Sequence, residues 1–118
     1  MRIPNSMSIF SLDGKTAVIT GGGGLLGIKH AEALAEFGAN IALLDNNVEA
    51  ASTAAQKITE EYSANVDAFY CDVTSIESIS SVCKQVKERF GGIEILINNA
   101  ANNPQVKKSG LDVDANSR

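Results

Sequence analysis

Residues 15 to 27 read Lys15-Thr16-Ala17-Val18-Ile19-Thr20-Gly21-Gly22-Gly23-Gly24-Leu25-Leu26-Gly27, an apolar, β-branched run that breaks into four consecutive glycines and then enters a helical pattern. Gly22, Gly24 and Gly27 satisfy the spacing G-x-G-x-x-G. Alone such a triplet is weak, but here it follows a strand pattern, opens a helix pattern and has Asp45 about 20 residues further on, which together predict a dinucleotide-binding turn. The glycines have distinct expected roles. Gly22 permits the tight bend, Gly24 clears the approach of a pyrophosphate, and Gly27 lets helix and strand pack closely. The turn residue Gly21 and the helix-start residues Leu25 and Leu26 complete the candidate cradle, where free backbone N–H groups face the diphosphate charge. Four adjacent glycines cost conformational entropy, so a turn without a ligand is the weaker reading.

Outward from this stretch the chain alternates regularly. Asp13-Gly14 is turn chemistry ahead of a first strand over 16–20. From Gly27 onward Ala31, Leu34 and Ala35 recur at helical spacing between Lys29, Glu32 and Glu36, and Gly38 supplies the stop. Asn40 to Asp45 is a continuous apolar strand of the kind buried on both faces of a parallel sheet. Val48, Ala51, Ala55, Ile58 and Tyr62 step by three and four as a second amphipathic helix. A third strand is expected over 66–71. Thr74 and Glu77 have capping-box spacing ahead of a third helix, whose expected apolar stripe is Ile76, Ile79, Cys83, Val86 and Phe90. Gly91-Gly92 ends that helix, and Ile93 to Ile97 reads as a fourth buried strand closing at Asn98.

Strand and helix alternate throughout, which predicts an α/β fold: a partial, doubly wound Rossmann sheet of about four parallel strands and three helices, in the order 3-2-1-4, with right-handed crossovers. The domain is expected over 13–101, behind a loose leader over 1–12. Residues 102–118 carry little apolar surface and read as a weakly ordered tail.

Composition bounds the function. The 118 residues are 44% hydrophobic and 20% charged, ordinary for one globular domain. A net charge of −4 without a cluster of Lys or Arg gives no electrostatic basis for binding nucleic acid or an anionic membrane. The first residues lack a continuous apolar segment, and a cytoplasmic location is expected. Cys71 and Cys83 lack C-x-x-C spacing and read as reduced, buried thiols. The single histidine, His30, reads as a surface residue, and no metal site is expected.

Three further groups sit at strand carboxyl ends, where ligands bind in open α/β sheets. Asp45 is placed to accept hydrogen bonds from adenosine ribose hydroxyls, and its charge opposes a 2′-phosphate; Asn46 and Asn47 add no cation, so NAD is expected over NADP. The weaker alternative makes Asp45 merely a cap for the following helix, a use for which Asp is well suited. Asp72 and Val73 follow the third strand, where a carboxylate meets an adenine amino group and an apolar side chain lies along the ring, although Asp72 also suits a simple turn. Asn98, Asn99, Ala100 and Ala101 follow the fourth strand, small enough to let a nicotinamide ribose come close.

Over residues 12–101 these motifs resemble the short-chain dehydrogenase/reductases. Thr20 to Gly27 is similar to the family's Thr-Gly-x-x-x-Gly-x-Gly turn, with Leu25 at the usual middle glycine and Gly24 giving instead the T-G-x-x-G-x-x-G spacing of its extended branch. Asp45 resembles the acidic NAD selector, Asp72-Val73 the adenine-binding pair, and Asn98 to Ala101 the Asn-Asn-Ala-Gly element with Ala101 for its last glycine. The resemblance implies an NAD-dependent oxidoreductase moving hydride between an alcohol and a ketone. It also implies a catalytic Ser and Tyr-x-x-x-Lys, which this chain lacks: Val66 lies four residues after Tyr62 and Thr74 four after Tyr70, and Asn116 reads as a tail residue. No catalytic residue is therefore assigned. The expectation is the cofactor half of a longer enzyme, silent alone; a non-catalytic NAD-binding module and a split enzyme are the alternatives.

Overall fold

The computed structural model describes residues 10–100, and the expected tail, with Ala101, lies outside them. Among the described residues seven elements follow in order: β1 (Thr16–Thr20), α1 (Leu25–Glu36), β2 (Asn40–Asp45), α2 (Val48–Tyr62), β3 (Val66–Tyr70), α3 (Ile76–Phe90) and β4 (Ile95–Asn98). The strands form one parallel sheet in the order β3-β2-β1-β4, the Rossmann arrangement expected from the alternation.

Pleating sorts the central strands onto two cores. Ile19, Ile41 and Leu43 face α1 and α2, where they meet Ala31, Ala35, Ala51, Ala55 and Ile58. Val18, Ala42 and Leu44 face the other way, toward Val82 and Val86 of α3. Alanines dominate the helix faces on the first side, which lets both helices lie close to the sheet.

Several expectations are corrected. Leu12 is no leader residue: its N–H donates to the Phe37 carbonyl at 2.7 Å and its side chain packs on the first core. The remainder of the proposed leader, 1–9, lies outside the described residues. The third strand ends at Tyr70; one more rung, from Cys71 N–H to the Asp45 carbonyl at 3.1 Å, closes it before the chain turns away.

Thr74 does not cap α3, because its hydroxyl donates to the Asp72 carboxylate at 2.7 Å. The helix starts one residue later on Ser75, whose hydroxyl accepts from Ser78 N–H at 3.1 Å. The expected stripe of α3 also shifts. Val82 and Val86 are buried, Cys83 is half-buried, and Ile76 is 84% exposed because only the later turns of α3 lie over the sheet. The fourth strand is shorter than 93–97 and alternates in burial, with Leu96 65% exposed: only β1 pairs with it, so one edge and half of one face stay open among the described residues.

Candidate functional site

The sheet's carboxyl end gathers three chain segments around the glycine turn. Gly21 makes the bend, at a φ of +67° that costs other residues strain, so the tight turn belongs to Gly21 and not to Gly22. Gly22 instead lies flat on β2. Its N–H donates to the Leu44 carbonyl at 2.9 Å, and a Cβ there would stand 2.7 Å from Leu43 Cβ. Gly27 has the packing role expected of it, since a Cβ would run into the Gly21 carbonyl oxygen.

Asp45 closes β2 beside the turn. Its Oδ2 accepts from Gly23 N–H at 2.9 Å and its Oδ1 from Asn47 N–H at 3.0 Å. The cap of α2 is not Asp45 but Asn47, whose side chain accepts from Ala50 N–H at 3.1 Å. The two helices that follow β2 and β3 are thus both capped by a side chain and carry Glu49 and Glu77 in their first turns. At α1 the N-cap is Gly24, which supplies no side chain, and the first turn has no acidic residue. Leu25 and Leu26 stand exposed there. At Gly24 a Cβ would meet no protein atom closer than 3.5 Å, so nothing among the described residues demands glycine at that position.

Thr20 ties the turn to β4. Its Oγ1 accepts from both Asn99 N–H and Ala100 N–H at 2.9 Å, and its own hydrogen is within reach of Asn98 Oδ1 at 3.2 Å. Asn99 Nδ2 returns a bond to the Gly21 carbonyl at 3.3 Å. Thr20 opens the family's turn motif but has no assigned role there, and Gly23 is marked by no motif. A polar residue ending a buried strand, and a glycine that G-x-G-x-x-G does not require, are the signals that point to them.

Asp72 forms the third wall as a turn. Its Oδ1 takes both the hydroxyl and the N–H of Thr74, which hold the carboxyl below its ordinary value. Ser78 Oγ accepts from Asp72 N–H at 2.9 Å. Burial pushes the neighbouring Cys71 thiol up, opposed in part by a hydrogen bond with Ser78.

Between these walls lies a cleft of about 200 Å³, into which the fold brings Gly21, Asp45, Asp72, Val73 and Ala100, with Cys71 at its floor. Gly22 is buried behind it, Asn99 points back to the turn, and Ala101 lies outside the described residues. His30 is half-buried on α1. No three His, Cys, Asp or Glu among the described residues are placed to hold a metal, and none of the described helices is long and apolar enough to cross a membrane. The phenol of Tyr62 is pushed up by desolvation and by Glu32, Glu61 and Glu36, the opposite of what a proton-exchanging tyrosine requires.

The chain is 35% identical to the sorbose reductase of Candida albicans over 112 residues, 92% of its own length and 40% of that relative. A solved structure from Haemophilus influenza, described as a candidate D-mannonate oxidoreductase with bound NAD, superposes with a TM-score of 0.77 at 40% identity, covering 86% of this chain and 36% of that one. An NAD+-bound xylitol dehydrogenase gives 0.73 at 40% identity, covering 76% and 34%. The chain therefore spans two-fifths or less of these proteins. The match to the family described as short chain dehydrogenase runs over residues 15–117, from the first strand through the segment after β4, and the chain belongs to that family as its amino-terminal part.

Proposed function

We propose that this chain supplies the cofactor half of an oxidoreductase that moves hydride between a nicotinamide dinucleotide, NAD in preference to NADP, and an alcohol or ketone. The observation that carries the reading is the position of Asp45. A carboxylate has about four acceptor sites, two of the Asp45 sites are used by backbone N–H groups, and the remainder are free for ribose hydroxyls at the cleft. Its charge, with Asn46 and Asn47 beside it, disfavours a 2′-phosphate. Gly24 supports the same reading, because its missing side chain serves no protein contact among the described residues and leaves room for a diphosphate at an uncapped helix end.

The remaining site residues are assigned within the same reading. Asp72 and Val73 face the adenine, and Leu25, Leu26 and Gly27 bring N–H groups to the diphosphate. Asn99 and Ala100, after β4, are assigned to the nicotinamide ribose, and Ala101 is assigned with them from its position in the sequence alone. The cleft is smaller than the roughly 300–1,000 Å³ of ordinary ligand pockets, which suits it to the adenosine end. When bound, the dinucleotide supplies the hydride; this chain's own residues bind and orient it. The Ser and Tyr-x-x-x-Lys that exchange the substrate proton are assigned to the part of the protein beyond this chain. The substrate class proposed is an open-chain polyol with its ketose, or an aldonic acid with its keto acid, in line with relatives named for sorbose, xylitol and D-mannonate.

The test is a titration of the full-length protein with NADH and NADPH, followed by turnover on a panel of polyols and simple secondary alcohols. Tighter binding of NADH and turnover confined to the polyols is expected. Equal affinities sink the NAD preference, and turnover of simple alcohols alone sinks the substrate class.

A further inference from the structure

We infer that Asp45 is also a positioning residue for the phosphate-binding turn, so that its side chain acts on both dinucleotides and not only on the choice between them. This rests on the reading that the cleft takes a nicotinamide dinucleotide. Two observations point to it. The Asp45 carboxylate accepts from Gly23 N–H, in the middle of the glycine run, at 2.9 Å. Gly23 is also pressed against the start of α2, where a Cβ would stand 2.8 Å from Ala51 N and 2.9 Å from Ala50 Cβ. The second oxygen is held by Asn47 N–H at the same helix start.

Asp45 therefore joins three parts: the end of β2, the first turn of α2 and the glycine run. A run of four glycines has no side chains with which to fix itself, and each glycine carries a large backbone entropy. On the β2 side, the run is anchored by Gly22 N–H on the Leu44 carbonyl and Gly23 N–H on Asp45. Removing the second anchor frees the backbone immediately before Gly24 and the α1 amino end. The diphosphate, common to NAD and NADP, then meets a looser cradle. An exchange of cofactor preference at this position must keep an acceptor for Gly23.

The experiment compares Asp45→Ala and Asp45→Asn in the full-length protein, with equilibrium binding of NADH and NADPH and amide exchange at Gly23. Both variants remove the charge that opposes the 2′-phosphate, but only Asn retains an oxygen that can face Gly23 N–H. Gly23 exchange in the unliganded protein is the discriminating readout, because an Asn side chain can itself pair with the ribose 3′-hydroxyl or the 2′-phosphate of NADPH. Loss of one hydrogen bond predicts that Asp45→Ala binds NADPH about three- to tenfold more weakly than Asp45→Asn. Gly23 exchange in the unliganded protein should be faster in the Ala variant and close to wild type in the Asn variant. Equal NADPH affinities for the two variants, or equal Gly23 exchange, overturn the inference. If Asp45→Ala does not fold, Gly23 exchange in the wild-type protein decides: protection comparable with that of Gly22 supports the brace, and exchange at the rate of an unstructured glycine refutes it. A wild-type protein that binds neither dinucleotide refutes the function proposed above, a result distinct from either.

Discussion

Replacing Thr20 by Val keeps the shape of the side chain and removes an oxygen that serves two backbone N–H groups. Thr20 is 9% exposed, and its Oγ1 accepts from Asn99 and Ala100 N–H at 2.9 Å each. The two donors differ in what they fall back on. Asn99 N–H also reaches the Ile97 carbonyl at 3.1 Å, whereas Ala100 N–H has no second acceptor among the described residues. An orphaned buried donor costs about 1–3 kcal/mol; Ala100 is only part-buried beside the cleft, so the variant should lose about 1–2 kcal/mol, chiefly through Ala100. Urea unfolding of the unliganded protein measures it. Thr20→Ser keeps the acceptor and removes one methyl, and should lose only about 0.8 kcal/mol. A valine variant within about 0.5 kcal/mol of wild type refutes the reasoning, because it would mean that water or a backbone shift satisfies the orphaned donor without cost.

Three further outcomes are expected. Gly24→Ala should change stability by less than about 1 kcal/mol, the scale of a cap substitution, while weakening dinucleotide binding at least tenfold; Gly22→Ala, which overlaps Leu43, should instead lose about 1–3 kcal/mol, and paired unfolding and binding curves separate the two. Because Thr74 lowers the Asp72 pKa in the folded state, the stability from that turn is present above the ordinary 3.8 and disappears as pH falls through the lowered folded value. Thr74→Val should therefore flatten the acid limb of an unfolding profile followed by circular dichroism. Val86→Ala, at a fully buried position, should cost about 2 kcal/mol in urea unfolding, whereas Ile76→Ala, on the exposed first turn of the same helix, should stay within about 0.5 kcal/mol.

The fold is legible in the residues because its signals are redundant. The run from Thr16 to Gly27 carries strand, turn and helix start in one stretch, and the continuous apolar β2 suits only a strand buried between two helix layers. The parts that periodicity misplaces depend on facts it does not contain. Ile76 and Ile79 share the spacing of a buried stripe with Val86, but the first turn of α3 does not reach the sheet, and only the crossover geometry decides that. Thr74 has the chemistry of an N-cap and is drawn off by Asp72. At the site, Asp45, Asp72, Val73 and Ala100 can be assigned to one cleft because each ends or follows a strand of a parallel sheet. The hydrogen bonds that hold the cleft's walls together cannot, because Thr20 to Asn99 and Asp45 to Gly23 are tertiary contacts, and no local spacing says which motif residue pairs with which.

The Thr20 junction also has a kinetic meaning. β1 meets β2 across the short excursion from Thr16 to Asn40, but it meets β4 only across the roughly three times longer excursion from Ala17 to Ile95. On loop-closure entropy alone the second pairing is costlier by about 1 kcal/mol, and pairings of high sequence separation form slowly. The bonds from Asn99 and Ala100 to Thr20 span 79 and 80 positions, among the longest between the described residues. One wall of the cleft therefore comes into being only when the most remote strand has docked beside the first, and the chain can acquire its glycine turn, its first two helices and three paired strands while that wall is still missing.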